Sequence, residues 1–236
     1  MERLDKIVAT ALQISRKDAI SLIKSGRVSE NGVALKDAKK KLDENTAELF
    51  LDENRIYYYK YVYIMMNKPK GVISASDGKG DKSVIDILPA EMKRKNLFPA
   101  GRLDKDTTGF MLITDDGEFA HSILSPKNHI PKTYIAKLDK PFDETVVKEF
   151  ESGVKLKDEK CMGAKLEAAD GDFCTARVEI KQGMYHQIKR MFASFGLKVV
   201  ELKRIKMGNL YLDESLKEGE CRYISEKELS MISDKK

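Results

Sequence analysis

Short strand-like runs recur five times beyond residue 60, with only three helical patterns among them, and this restricts the fold more than any other feature. The runs are Tyr61–Met66, Gly109–Thr114, Lys132–Leu138, Thr175–Lys181 and Lys198–Ile205. The helical patterns are Asp116–Leu124, Asp143–Ser152 and His186–Phe195. In the last of these Ile188, Met191, Phe192 and Phe195 share one face, and Gly196 ends it. Strands and helices do not alternate one for one, so a doubly wound parallel sheet does not fit. An α+β domain with a mixed, largely antiparallel sheet is expected instead. No apolar stretch approaches the roughly 20 residues that a membrane helix needs.

The first fifty residues read as a separate module. Leu4, Ile7, Val8, Ala11 and Leu12 recur at helical spacing. Ser15 and Asp18 form a Ser-x-x-Asp variant of the capping box, which starts a second helix buried through Ala19, Ile20 and Ile23 and stopped at Ser25-Gly26. Asn31-Gly32 between apolar residues is a strong hairpin signal. Two short helices and a hairpin leave Arg16, Lys17, Lys24 and Arg27 for the outer face. Residues 54–60 read as a linker running into a strand. The division expected is therefore a module over 1–56, a linker over 57–60 and a second domain over 61–236. Tyrosines 57, 58, 59, 61 and 63 could stack on bases, although a strand with an inter-domain contact explains them more simply.

Charge is mild in total, with 43 Lys and Arg against 38 Asp and Glu, but it is unevenly placed. Residues 1–41 carry ten basic and five acidic side chains; residues 42–53 carry five acids and no base. Residues 181–206 carry seven basic residues against Glu201 alone. Two separated basic blocks point to a polyanion, most simply nucleic acid, where the bland alternative is solvated lysine faces. Cys161, Cys174 and Cys221 contain no C-x-x-C pair, so neither a disulfide framework nor a thiolate zinc site is expected. The three histidines lack metal-ligand spacing, and no metal is expected. The N-terminus has no basic-then-apolar signal pattern, and a reducing, cytoplasmic setting without membrane contact follows as the expectation.

Chemistry concentrates in Gly101-Arg102-Leu103-Asp104-Lys105-Asp106-Thr107-Thr108-Gly109. This polar stretch lies between apolar Leu97–Ala100 and a strand, and it carries two carboxylates with cations beside both. A loop held by flanking core is where a catalytic acid would sit, although a structural turn satisfied by local amides has the same composition. Asp104-x-Asp106-x-Thr108 also fits the nucleophile loop of haloacid-dehalogenase phosphotransferases, in which two carboxylates work beside Mg²⁺. That loop should follow a buried parallel strand, which Phe98–Arg102 makes poorly. Asp170-Gly171-Asp172 is a lone turn rather than the later acidic pair such enzymes require. Gly78-Lys79-Gly80 lacks the frame of a phosphate loop.

The same nine residues resemble the G-R-L-D-x-D-T-T-G motif of pseudouridine synthases in the RsuA branch. The resemblance covers nearly the whole chain. Met66-Asn67-Lys68-Pro69-Lys70-Gly71, Leu112–Gly117, Ser125–His129, Lys132-Thr133-Tyr134 and Gly183–Phe192 follow in the family's order, and the N-terminal module is similar to an S4 RNA-binding domain. Met184 departs from the pattern, which carries Arg or Lys there. The resemblance implies an isomerase of ribosomal RNA uridine with no cofactor. Small-subunit RNA is favoured over large-subunit RNA, with a non-catalytic S4-type RNA binder as the alternative from another class. The partner would be ribosomal RNA or a partly assembled subunit, met by a monomer.

Site roles follow from the same resemblance. Asp104 would act at the sugar, Tyr134 would stack on the extruded base, and Lys189 would be the basic partner of Asp104, with Ile188 packed beneath Tyr134. Arg102 would fill the space the base vacates or hold a phosphate. Arg16, Lys17, Lys24, Arg27 and Arg190 would contact RNA. His186 is read as a structural hydrogen-bonding residue, and Asp106 as a loop carboxylate capping its own backbone.

Overall fold

The computed structural model describes residues 1–43, 46–157, 159–169 and 171–233. It divides into two compact units, Met1–Val62 and the chain from Tyr63 onward.

In the first unit α1 (Leu4–Ala11) follows β1 (Glu2–Arg3) and precedes α2 (Arg16–Lys24). Ser15 caps α2 as its sequence predicts, its Oγ accepting from the Asp18 amide at 3.1 Å. Strands β2 (Val28–Glu30) and β3 (Val33–Ala34) form the expected hairpin, and Asn31 and Gly32 both take the positive φ that its two-residue turn requires. After β4 (Lys41–Leu42), which pairs with β1, come β5 (Leu49–Leu51) and β6 (Asn54–Ile56). The sheet order is β3-β2-β5-β6. The linker read at 54–60 thus begins as a strand: Asn54–Ile56 pairs with β5, and Ile56 is buried in the same core as Leu4, Val8, Ile23 and Leu49. Periodicity missed it because only three residues pair, and one of them is apolar.

Among the described residues the second unit builds a nine-stranded sheet. Its elements in chain order are β7 (Tyr63–Lys68), β8 (Phe98–Pro99), β9 (Thr108–Thr114), α3 (Gly117–Leu124), β10 (Lys132–Leu138) and α4 (Glu144–Ser152), continuing with β11 (Lys165–Ala169), β12 (Asp172–Ile180), α5 (Gln187–Ala193), β13 (Val199–Met207), β14 (Leu210–Tyr211), β15 (Cys221–Tyr223) and α6 (Glu226–Ser233). The main path runs β11-β12-β10-β13-β9-β7-β15. Every pairing is antiparallel except β13 with β9, so the sheet is mixed as expected. The Asp170–Asp172 turn falls partly outside the described residues.

The parallel pairing is where the fold shapes the polar loop. Only Thr108 and Gly109 of β9 pair with β13, opposite Lys203 and Arg204. Gly109 has φ +98°, and a Cβ there would lie 2.2 Å from the Arg204 carbonyl oxygen. The last residue of the motif is therefore glycine for two physical reasons, its backbone region and the close approach of β13. Beyond it Phe110 and Leu112 enter a core with Met65, Ala120, Ile123 and Met207. On α5, Phe192 packs against Phe150 of α4 with ring centroids 4.8 Å apart. This packing anchors the helix whose first turns carry Ile188, Lys189 and Arg190.

Candidate active site

The loop between β8 and β9 is fixed by the segment that leaves β7. Lys68 is fully buried, and its Nζ donates to the carbonyls of Thr107 at 2.8 Å and of Asp104 and Pro69 at 3.1 Å each. Ser74 Oγ donates to the Leu103 carbonyl at 2.9 Å and accepts from the Leu103 amide at 3.0 Å. Gly71 N–H donates to the Lys105 carbonyl at 2.7 Å. Backbone on both sides of Asp104 is thus tied down before any side chain is considered. Burial pulls Lys68 down to about 8, with the negative charges of Asp106 and Asp104 opposing that fall. In the sequence Met66–Gly71 is legible only as a matching motif, and neither Lys68 nor Ser74 stands out. The available signal was a lysine ending an otherwise buried strand.

The loop presents Asp104 into an open cleft of about 80 Å³ that Arg102, Thr107, Tyr134, His186, Ile188 and Lys189 help to line. Lys189 Nζ lies 3.2 Å from Asp104 Oδ2. It also donates to both oxygens of Asp106, at 2.7 and 2.8 Å. One ammonium therefore bridges two carboxylates that are two residues apart. The hydrogen bond from Lys189 holds Asp106 below the usual carboxylate range against burial. Burial alone would lower Lys189, but hydrogen bonds to Asp106 and Asp104 outweigh it and raise the ammonium above its ordinary value. Asp106 is thus more than a self-capping loop residue, as its sequence suggested; it helps hold the cation against its neighbour.

His186 places Nε2 3.4 Å from Asp104 Oδ1. It precedes α5 with a left-handed φ of +47°. Tyr134 and Ile188, both buried, line the same cleft from β10 and α5, and Arg102 lines it while remaining exposed. Met184, the departure from the family pattern, also lines the cleft, and its amide donates to Gln187 Oε1 at 3.2 Å. Asp104, Tyr134, Lys189, Ile188 and Arg102 therefore converge on one cleft. The other cations singled out in the sequence have carboxylate partners or stand exposed. Arg190 pairs with Glu159 at 2.8 Å. In the first unit Arg16 pairs with buried Asp5 at 3.2 Å and Arg27 with Asp52 at 2.6 Å, while Lys17 and Lys24 stand exposed on α2.

Chemically, the cleft offers a carboxylate flanked by cationic or protonatable groups, an aromatic wall and an exposed arginine. That arrangement favours stabilising positive charge that develops on a bound molecule. It does not resemble a magnesium phosphatase, whose two carboxylates would face a metal rather than share an ammonium. Among the described residues no group of three or more His, Cys, Asp or Glu is placed to hold a metal ion.

The RNA pseudouridylate synthase family model matches residues 62–194, and the S4 domain model matches residues 2–47. An uncharacterised RNA pseudouridine synthase of Bacillus subtilis is 39% identical over 98% of this chain and 98% of its own. The ribosomal small subunit pseudouridine synthase A of Haemophilus influenzae is 38% identical, and that of Escherichia coli 37%, each over 98% of this chain and 99% of its own. A crystal structure of a pseudouridylate synthase superposes with a TM-score of 0.68 at 35% identity, covering 98% of this chain and all of that one. The chain belongs to the RNA pseudouridylate synthase family, with an S4 domain preceding the catalytic domain.

Proposed function

We propose that the protein isomerises a uridine of small-subunit ribosomal RNA to pseudouridine, with uridine 516 of the 16S molecule as the finer assignment. The observation that carries the chemical reading is the bridging of Asp104 and Asp106 by Lys189, with Asp104 and Lys189 lining a cleft walled by Tyr134. Support for the substrate is the resemblance over the full chain to relatives named for the small ribosomal subunit.

In the reaction the N1–C1′ bond breaks, the uracil turns, a C5–C1′ bond forms, C5 loses its proton and N1 gains one. Atoms and charge balance without oxidant or transferred group. A base in a helical stack must first be extruded. Arg102, exposed at the cleft, fills the vacated space, and Tyr134 stacks on the extruded uracil above Ile188. The Asp104 carboxylate lies toward the sugar and stabilises positive charge developing at C1′. Lys189 orients the carboxylate pair, and Lys68 positions the backbone that carries Asp104. Lys17 and Lys24, with Arg16 and Arg27 oriented by their aspartates, form the basic face of the S4 domain toward RNA. Arg190 adds a cation near the cleft. The enzyme would act as a cytoplasmic monomer on ribosomal RNA or a partly assembled subunit.

Tritium release from C5-labelled uridine in a small-subunit ribosomal RNA transcript, without added metal, tests this reading. Wild-type protein should release tritium and Asp104→Asn should release none while binding RNA normally. Easily measured turnover by Asp104→Asn would remove Asp104 from the chemistry. Mapping pseudouridine in ribosomal RNA from cells lacking the protein identifies the target, and a position lost from the large subunit would overturn the small-subunit assignment.

A further inference from the structure

Among the described residues Tyr185 is the most exposed large apolar side chain, at 77%. It sits beside the cleft and is not loosely attached. Its ring stacks on that of His186 with centroids 3.9 Å apart and planes 15° from parallel. His186 in turn reaches Asp104 at 3.4 Å. Arg190, tied to Glu159, donates to the Tyr185 carbonyl at 3.4 Å, so the backbone beneath the ring is held as well. One face of Tyr185 is covered by the imidazole, so its exposure lies on the other face and the edges. Exposed tyrosine rings usually have no fixed orientation; this one is a flat, oriented surface joined through one residue to the reacting carboxylate.

We propose that the outer face of Tyr185 stacks a nucleobase of the substrate RNA that flanks the extruded uridine. This rests on the reading that the cleft extrudes and isomerises a uridine. Extrusion removes a stacking partner from the neighbouring base, and an aromatic face at the mouth of the cleft replaces it. Every base has a π-face, so the shelf adds affinity and registers the strand without reading its sequence. Tyr185 is a positioning residue for RNA, and His186 is the inner half of its shelf.

The test uses the full chain and a fragment of small-subunit ribosomal RNA that the wild-type protein converts, with single-turnover tritium release followed against RNA concentration. Tyr185→Ala should raise the half-saturating RNA concentration by roughly 5- to 100-fold, the worth of one aromatic–base stack, while the maximal rate falls little. Tyr185→Phe should match wild type, and Tyr185→Leu should resemble Ala. Replacing flanking nucleotides one at a time by abasic residues identifies the partner. At one position the abasic change should weaken wild type by a similar factor and add nothing in Tyr185→Ala. Abasic effects that add to Tyr185→Ala at every position would overturn the shelf, as would Tyr185→Ala affinities within twofold of wild type. A fall in maximal rate at unchanged half-saturation would make Tyr185 a support for His186 instead. If wild type converts no ribosomal RNA, the functional reading fails. Binding of the same abasic series, measured by electrophoretic shift, then decides the stacking separately.

Discussion

Lys68→Met separates the roles of a buried cation as support for the fold and as a clamp on the loop that carries Asp104. Lys68 is fully buried, and its pKa falls from 10.5 to about 8. A depression of about 2.5 units means that keeping this ammonium charged at pH 7 costs about 3 kcal/mol of folding stability, and methionine removes that cost. Methionine also strips the donor from three well-formed carbonyl hydrogen bonds, each left acceptor costing ~1–3 kcal/mol. The three acceptors together cost ~3–9 kcal/mol, which meets or exceeds the cost that methionine removes. Global stability at pH 7, read by urea unfolding, should therefore fall, by no more than ~6 kcal/mol. Because the folded pKa lies below the unfolded one, the unfolded chain binds more protons between pH 8 and 10.5. This group's contribution to stability thus rises with pH across that window. The stability difference between wild type and Lys68→Met should accordingly shift by about 2 kcal/mol in favour of wild type between pH 7 and pH 9.5. Activity should behave differently. A loop released by even 1 Å loses on the order of 100-fold in rate, so single-turnover tritium release should collapse while the protein stays folded. Full activity in Lys68→Met would refute the clamp, and a pH-independent stability difference would refute the buried charge.

Lys189→Met should abolish most activity with the salt dependence of RNA affinity unchanged; retained activity with a salt slope lower by about one charge would move Lys189 onto the RNA-binding surface. Asp106→Asn should lose far less activity than Asp104→Asn in the tritium assay, because Lys189 keeps its contact with Asp104. The depressed pKa of Asp106 means its pairing stabilises the fold above the ordinary carboxylate range and is lost as pH falls through the lowered value. Asp106 is 58% exposed, so acid-side urea titration of wild type against Asp106→Asn should show a difference below ~1 kcal/mol. Gly109→Ala should destabilise the second unit by more than ~2 kcal/mol in urea unfolding, since its methyl would meet the Arg204 carbonyl in a backbone region glycine favours. Removing residues 1–62 should leave a chain that is folded by circular dichroism and binds RNA more weakly; an unfolded product would show that the two units are not independent.

Local features were legible wherever the determining interactions are local. The Ser15 cap acts over three residues, and the Asn31-Gly32 turn depends on its own φ angles, so sequence alone identifies both. Strand β10 falls where its apolar run lies, and α3, α4 and α5 fall within a residue or two of their patterns, because burial on one face writes a period into the sequence. Short elements were missed for the converse reason. Asn54–Ile56 and Cys221–Tyr223 are strands because β5 and β7 offer edges to pair with, not because three residues carry a period. Helix α6 was also missed, and only Ile232 along it is deeply buried.

For the site, sequence alone determined which residue types were available: a carboxylate in a polar loop between core segments, a tyrosine on a strand, and lysine and arginine on an amphipathic helix. Tertiary structure decided how they are shared. Lys189 lies more than eighty residues from Asp104 and Asp106, and only the closure of β10 and β13 between them lets one ammonium meet both carboxylates. The carbonyls that Lys68 holds and the β13 backbone that excludes a side chain at Gly109 are likewise main-chain atoms of distant segments. Backbone carbonyls are the same at every position in a sequence. Which of them face a given lysine or glycine is therefore a property of the folded chain alone.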